Sequence, residues 1–216
     1  MNFNSIISRV LGILTKPKSE WEKIKGESTS IKDLYLKFAC IVFALPSLFV
    51  LLAHLFAVGF AGFHYTLLLT IITYVFVLGG VYLSGLLINV IAPQFSGSND
   101  LVESQKLTVY SLVPFSLASF LFIFIAGGFS VYSWFWPVLV FGLPYAIYLA
   151  YVGLPILKGI SGDKLVPFTI ITGVVFYIVF YLVFMLSFKI YWEMVVGSNL
   201  RASRRAMEEF QRNFGN

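Results

Sequence analysis

Between Lys37 and Lys189 the sequence contains only six charged residues, and these separate three long uncharged runs. The runs cover residues 38–99, 107–157 and 165–188. An α-helix rises about 1.5 Å per residue, so about 20 apolar residues cross a bilayer core of about 30 Å. A soluble protein of this length needs charged and polar side chains over its surface. The pattern therefore predicts an all-α membrane protein whose runs hold two, two and one spanning helices.

Five spans and two tails account for the whole sequence of 216 residues, which leaves no room for a second domain. The spans are predicted at residues 36–58, 66–92, 107–126, 134–157 and 165–188. A polar loop, residues 93–106, joins the second and third spans. Residues 1–35 form an amphipathic N-terminal segment and residues 189–216 an amphipathic C-terminal tail. The expected fold is a five-span transmembrane helical bundle with a short amphipathic helix at each end.

The distribution of lysine and arginine predicts the orientation of the chain, because these residues are enriched on the cytosolic side. With five spans, residues 1–37 and the second and fourth loops share one side and hold ten of them. The opposite side holds five, all in the C-terminal tail. We expect a cytosolic N-terminus, an external C-terminus and insertion into a bacterial cytoplasmic (inner) membrane. A count of four or six spans would instead place both basic tails inside.

The first apolar stretch is short and amphipathic. The apolar residues of positions 3–14 recur at helical spacing, and the polar residues fall largely on the other side. Such a helix lies either on the membrane surface or on the protein's own bundle. The sequence supports the two placements equally.

The segment before the first span is the candidate partner-binding surface, formed by Pro17, Trp21, Ile24, Asp33, Leu34 and Tyr35. Charges alternate along it, and Trp21 and Ile24 share one face of a short helix. The alternative is that Trp21 and Tyr35 only hold the chain at the level of the lipid headgroups, as interfacial aromatic residues do.

Small residues recur every four positions on two of the spans. They are Gly142, Ala146 and Ala150 on the fourth span, and Gly80 and Ser84 on the second. Small side chains let helices approach closely, which favours their association in lipid. These positions are the candidate helix-packing residues, and the contacts they make lie either within one chain or between two chains.

No catalytic, metal-binding or cofactor-binding motif is recognisable in the sequence. His54 lies within a span and His64 in the next loop, and two histidines without carboxylate or cysteine neighbours make a poor metal site. The single cysteine, Cys40, excludes an intrachain disulfide. Neither basic tail has the contiguous charge or the aromatic platform of a nucleic-acid-binding protein, so attraction to the lipid bilayer is the simpler interpretation.

Several motifs in order along the chain resemble those of a known family. They are Pro17, Trp21, Ile24 and Glu27 before Asp33-Leu34-Tyr35, then Tyr110-Ser111-Leu112-Val113-Pro114, and then Tyr148-Leu149-Ala150-Tyr151-Val152-Gly153-Leu154-Pro155, with Asp163-Lys164 beyond. The chain resembles the Yip-domain family of Ypt/Rab-interacting integral membrane proteins, in particular its short prokaryotic members. The resemblance extends from about Ile6 to Phe188.

The resemblance implies five helices, a cytosolic N-terminus and a C-terminus on the opposite side. Eukaryotic members bind Rab-type GTPases and one another, and they help to shape or traffic membranes. Their Asp-Leu-Tyr segment continues with Gly-Pro, whereas Leu36-Lys37 follows here, and only about 35 residues precede the first span. Both departures argue against GTPase binding by this chain.

The leading functional hypothesis is a non-enzymatic membrane protein that associates through its helices with other membrane proteins or with itself, as an adaptor or a membrane-organising component. The alternative is a transporter or channel for a small neutral or lipidic solute. Its pathway would be lined by tyrosines together with Ser84, Asn89, Ser111, Ser116 and Ser119. A continuous polar cavity would favour the alternative, and a closed, dry bundle would favour the leading hypothesis.

Overall fold

The computed structural model describes residues 3–58, 63–118 and 141–193, with a few helical positions of the C-terminal tail. Within these residues the chain is helical and contains no strand, so the predicted all-helical fold is confirmed. The second half of the third predicted span, the start of the fourth and most of the C-terminal tail lie outside the described residues.

The N-terminal part of the chain consists of short helices. These are α1 (Phe3–Thr15), α2 (Pro17–Gly26), α3 (Ile31–Leu34), a π-helical turn (Tyr35–Ala39), α4 (Cys40–Val42) and α5 (Ala44–Val58). Pro17 occupies the first turn of α2, where its missing N–H costs nothing and its fixed φ favours the helix. The backbone from α3 to α5 is nearly continuous, with its irregular turns around the predicted start of the first span.

Four further α-helices follow among the described residues, α6 (Phe63–Ile91), α7 (Leu101–Ser111), α8 (Leu143–Lys158) and α9 (Leu165–Tyr191). Two helical stretches, Leu67–Phe95 and Gly162–Ile190, are long and apolar enough to cross a membrane. They coincide with the second and fifth predicted spans. The structure thus supports a helical membrane protein, and the count of five spans stays a prediction.

The loop predicted at residues 93–106 is shorter than expected, because α7 begins at Leu101. The Asp100 side chain caps this helix by accepting a hydrogen bond from the Glu103 backbone N–H at 3.1 Å. An aspartate that bonds to the third backbone N–H stabilises the start of a helix. The prediction of a loop is therefore wrong for residues 101–106, which form the first turn and a half of α7.

Helix α6 packs against α5, α7 and α9, and α8 packs against α2, α7 and α9. Gly80 of α6 lies against α9, where a Cβ atom at position 80 would be 3.0 Å from Val183 Cγ2. The hydroxyl of the buried Ser84 donates to the Gly80 carbonyl within α6 at 2.8 Å. These two candidate helix-packing residues thus lie on a face that meets another helix of the same chain.

The small residues of α8 also face the interior. Ala146 and Ala150 have no exposed surface, and a Cβ atom on Gly142 would be 2.8 Å from Phe115 Cα. Residues 113–118 continue helically after α7. The start of α8 therefore approaches this continuation closely, within one chain.

Gly79 and Gly80 allow a matched test of this packing, because a Cβ atom on Gly79 would meet nothing within 4 Å. We expect Gly80→Leu to lower the free energy of unfolding by about 1–3 kcal/mol, because added methylenes overpack the contact with α9. Gly79→Leu adds the same side chain one position away and should leave stability unchanged or slightly raised. Thermal unfolding in detergent measures both variants. Equal losses would show that position 80 makes no close contact with α9.

Candidate functional site

The N-terminal segment, here residues 3–30, packs against α7 and α8 through the side chain of Trp21, which has no exposed surface. Its indole N–H donates to the Leu149 carbonyl at 3.1 Å, and its ring meets Tyr110 edge-on at 6.2 Å. A Cβ atom on Gly153 would be 2.7 Å from the indole. Glycine at this position therefore provides the space that the indole occupies.

Cationic and phenolic side chains of the bundle bind the ends of the N-terminal helices. The Lys106 ammonium donates to the carbonyls of Ile24 at 2.9 Å and Glu27 at 2.5 Å, at the end of α2. The Tyr145 hydroxyl donates to the Leu14 carbonyl at 2.6 Å, at the end of α1. The last carbonyls of a helix lack intrahelical partners and carry the negative end of the helix dipole. These donors therefore stabilise both helix ends against the bundle.

Arg9 joins α1 to α2 through two carboxylates. Its guanidinium forms ion pairs with Glu20 at 2.7 Å and with Glu27, and lies over the Tyr110 ring at 5.9 Å. Lys23 also pairs with Glu20, at 2.9 Å. The Glu20 and Arg9 side chains are about nine-tenths buried. Charges at such depth are tolerated only when they are paired, so this network fixes the angle between the two helices.

A second set of polar side chains lies where α6 and α8 end and α7 begins. The Lys158 ammonium is buried and donates to Ser104 Oγ at 2.7 Å and to the Asp100 carbonyl at 3.0 Å, with Asn89 Oδ1 at 3.4 Å. Burial lowers the pKa of Lys158 below its ordinary value, although the carboxylates of Glu103 and Asp100 partly oppose this shift. The lysine therefore ties together three helix ends at an energetic cost in desolvation.

Gln105, which follows Ser104 in α7, bonds to Tyr35, just before the first predicted span, and to α6. The Tyr35 hydroxyl donates to Gln105 Oε1 at 2.7 Å, and Gln105 Nε2 donates to the Tyr82 carbonyl at 3.0 Å. A Cβ atom on Gly85 would be 2.6 Å from the Gln105 amide, so glycine makes room for it. Burial raises the pKa of the Tyr35 phenol above its ordinary range, which keeps it a neutral donor.

The six candidate partner-binding residues do not form one surface. Trp21, Ile24 and Leu34 lie in the core and offer no surface to a partner. Tyr35 is half-buried and bonded to Gln105. Pro17 lines one open cleft, and Asp33 lines a different one together with the buried Leu34.

The first cleft, called the α1–α3 cleft, has a volume of about 450 Å³. It is lined by Ser5, Arg9, Glu27, Ser28, Thr29, Asp33, Leu34, Lys37, Phe38 and Tyr110. Asp33 pairs with Lys37 at 2.6 Å, and its carboxylate accepts from the Ser30 hydroxyl at 3.0 Å. The hydrogen bond from Lys37, followed by that from Ser30, lowers the pKa of Asp33. The cleft thus presents paired charges of both signs.

The second cleft, called the α2–α8 cleft, has a volume of about 540 Å³. It is lined by Lys16, Pro17, Lys18, Ser19, Glu22, Tyr148 and Val152. Lys16 and the first two turns of α2 supply the charged wall, and two residues one turn apart on α8 supply the apolar floor.

Arg9, Lys106 and Lys158 hold the segment and the helix ends together, and sequence reasoning did not select them. It counted Lys106 and Lys158 as loop charges that set the orientation. Their signal in the sequence is that each stands alone at the border of an apolar run. A lone lysine at such a border either extends to water or meets several acceptors, and spacing does not distinguish these cases.

The remaining candidates for chemistry are His54, His64 and Cys40. His64 is exposed, the side chain of His54 lies outside the described residues, and the Cys40 thiol is half-buried. Among the residues that the structure describes, no three His, Cys, Asp or Glu side chains come together as a metal site requires.

Comparison with known proteins gives one match. The family model described as the Yip1 domain matches residues 11–183, which is most of the chain and includes α2 to α8. No curated protein and no solved structure matches the chain.

Proposed function

Because the chain belongs to the Yip1-domain family of membrane proteins, we propose that it is a non-enzymatic multi-pass membrane protein that acts through association, as an adaptor or a membrane-organising component. Its partners are other membrane proteins or further copies of itself. The carrying observation is that the N-terminal segment is held rigidly on the bundle by buried paired groups, while the α1–α3 cleft beside it stays open.

The composition of this cleft supports a protein partner. Two ion pairs, one from Arg9 to Glu27 and one from Asp33 to Lys37, lie on its walls. Both signs of charge on a preformed surface favour specific pairing with complementary charges of a partner. A rigid surface also costs little ordering entropy on association. The cleft is therefore suited to recognising one partner surface among many.

The proposal includes five spans with the N-terminus in the cytosol, which would place the α1–α3 cleft on the cytosolic side. The lengths of α6 and α9, 29 and 27 residues, support spanning by these two helices. The excess of lysine and arginine in the N-terminal segment supports its cytosolic placement. The compartment proposed is a bacterial cytoplasmic (inner) membrane.

The transporter alternative rests on one observation, the Ser111 hydroxyl, which is buried and has no hydrogen-bond partner among the described atoms. Other hydroxyls of the predicted pathway are used within the bundle. Ser84 donates to the Gly80 carbonyl, and Ser116 donates to the Val42 carbonyl at 2.6 Å. Hydroxyls bonded to backbone strengthen helix packing and are less available to a solute.

Reversal of one ion pair tests the adaptor role. In the double variant Asp33→Lys, Lys37→Glu the pair remains but its two charges exchange places. We expect thermal stability to stay within about 1 kcal/mol of the parent, because the pair is largely exposed. Recovery of proteins crosslinked in native membranes and then purified with the chain should fall at least about tenfold, because like charges now face the partner.

The control is Lys32→Glu, since Lys32 is an exposed lysine next to Asp33 that does not line the cleft. It should retain the crosslinked proteins. Retention by both variants would refute recognition at this cleft, and solute flux in proteoliposomes would then support the transporter. Reporters fused before Phe3 and after Asn216 check the orientation in the same cells. Cytosolic signals from both would contradict five spans.

A further inference from the structure

The α2–α8 cleft combines exposed positive charge with an apolar floor. Lys16 and Lys18 are exposed, and neither forms an ion pair with any residue that the structure describes. Glu22 is the acidic member of the lining, so the cleft carries one net positive charge. Tyr148, which is 47% exposed, and Val152 form the floor on successive turns of α8.

The depth of this cleft in the bilayer follows from helix lengths. Helix α6 has 29 residues and is about 43 Å long, so about 13 Å extends beyond a hydrocarbon core of about 30 Å. Ion pairs of α2 and the lysines Lys106 and Lys158 surround one end of the bundle. Because charged groups are costly in hydrocarbon, the excess length lies at that end.

Helix α2 runs beside α8 in the same direction, since Trp21 bonds to the Leu149 carbonyl and Lys25 to the Ile156 carbonyl. The first turn of α2 therefore lies beside Tyr148, which is ten residues, or about 15 Å, from Lys158 along α8. The distance of about 15 Å is close to the roughly 13 Å by which α6 exceeds the hydrocarbon core of the bilayer. The α2–α8 cleft thus lies at the level where the hydrocarbon ends and the phosphates begin.

The exposed side of α1 indicates the same depth in the bilayer for the neighbouring α2–α8 cleft. Ile6 and Ile13 face the protein, whereas Phe3, Ile7 and Leu11, each one turn from the next, are 43–69% exposed. An amphipathic helix with such a stripe lies in the interfacial plane with its apolar side toward the acyl chains. Lys16, between α1 and α2, and Lys18, in the first turn of α2, are then held among the headgroups.

We propose that the α2–α8 cleft binds the phosphate of an anionic phospholipid of the surrounding membrane. Lys16 and Lys18 contact the phosphate oxygens, and Tyr148 and Val152 contact the glycerol and the first methylenes of the acyl chain. Each lysine near a membrane surface is attracted to anionic lipids. The phosphate oxygens accept the hydrogen bonds that a lysine ammonium donates. The proposal rests on the membrane insertion proposed above and does not depend on the partner of the α1–α3 cleft.

The test compares lipid retention by the detergent-purified full chain in native mass spectrometry, with equal amounts of phosphatidylglycerol and phosphatidylcholine added. The parent should retain phosphatidylglycerol in preference, and the preference should weaken as salt is raised. In Lys16→Gln, Lys18→Gln the preference should fall by about tenfold. The matched control Lys32→Gln, Lys164→Gln removes the same charge from exposed lysines outside the cleft, and it should keep the preference for phosphatidylglycerol.

Three outcomes would overturn the proposal. Equal retention of the two lipids by the parent would show that the cleft has no preference for an anionic headgroup. An unchanged preference in Lys16→Gln, Lys18→Gln would place the lipid elsewhere. Displacement of phosphatidylglycerol by millimolar inorganic phosphate would make the cleft a site for free anions. Crosslinking with the Asp33 and Lys37 variants is a separate measurement, so failure here leaves the adaptor proposal intact.

Discussion

Trp21→Ala is expected to lower the free energy of unfolding by about 3–5 kcal/mol and to release the N-terminal segment from the bundle. The substitution empties a fully buried indole site between α2, α7 and α8, which costs the transfer energy of the side chain plus that of the cavity. It also leaves the Leu149 carbonyl without this donor. Thermal unfolding in detergent measures the stability, and limited proteolysis of the exposed stretch at residues 26–28 measures the release.

Two further variants separate the contributions of the indole. Trp21→Phe keeps most of the apolar volume and loses the N–H, so it should cost about 1–3 kcal/mol. Trp192→Ala removes an indole that is 47% exposed and should cost much less. If Trp21→Ala were as stable as Trp192→Ala and equally resistant to protease, Trp21 would not hold the segment on the bundle.

Lys158→Met is expected to lower the free energy of unfolding by about 1–3 kcal/mol. Methionine keeps the length of the side chain but removes the ammonium that Ser104 Oγ and the Asp100 carbonyl share. Buried acceptors that lose a charged donor retain the cost of their desolvation. Lys164→Met is the control, because Lys164 is an exposed lysine bonded only to the Ser96 hydroxyl in the described chain. Equal stability of the two variants in thermal unfolding would contradict the structural role of Lys158.

The same lysine gives a pH dependence of defined sign. Burial lowers the pKa of Lys158 in the folded protein relative to the unfolded chain. Between the folded and the unfolded pKa the unfolded state binds more protons, so the contribution of Lys158 to the free energy of unfolding rises with pH in that alkaline window. Below the folded pKa both states are protonated and the contribution is constant. The difference in stability between the parent and Lys158→Met should therefore grow as pH approaches about 10.4.

The long helices could be predicted from the sequence because their cause is local. Uncharged runs form helices in a membrane, since every backbone N–H and C=O must be bonded within the segment. This reasoning located α6 and α9 closely. The start of α7 was missed because Asp100 and Glu103 look like loop residues by polarity, although an aspartate followed three positions later by a glutamate also begins a helix.

The packing of the N-terminal segment against the bundle could not be predicted from the residues near it in the sequence. Periodicity places Trp21 and Ile24 on one apolar face, and lipid, a partner or the bundle would each cover such a face equally well. The structure covers it with α8, because the Leu149 carbonyl, 128 positions away, accepts the indole N–H and Gly153 leaves space for the ring. Leu149 and Gly153 are both far from Trp21 in the sequence, so neither contact could be predicted from the neighbours of Trp21.

The sequence alone determined the helical class, the membrane environment and the membership of the family, since these depend on charge spacing and on motifs within single helices. Only the tertiary structure decided which polar groups are internal and which are open. Lys106 and Lys158 are buried because acceptors from distant parts of the chain converge on them, whereas Lys16 and Lys18 remain exposed. An ammonium leaves water only where several acceptors meet it at once, and that coincidence is a property of the folded chain.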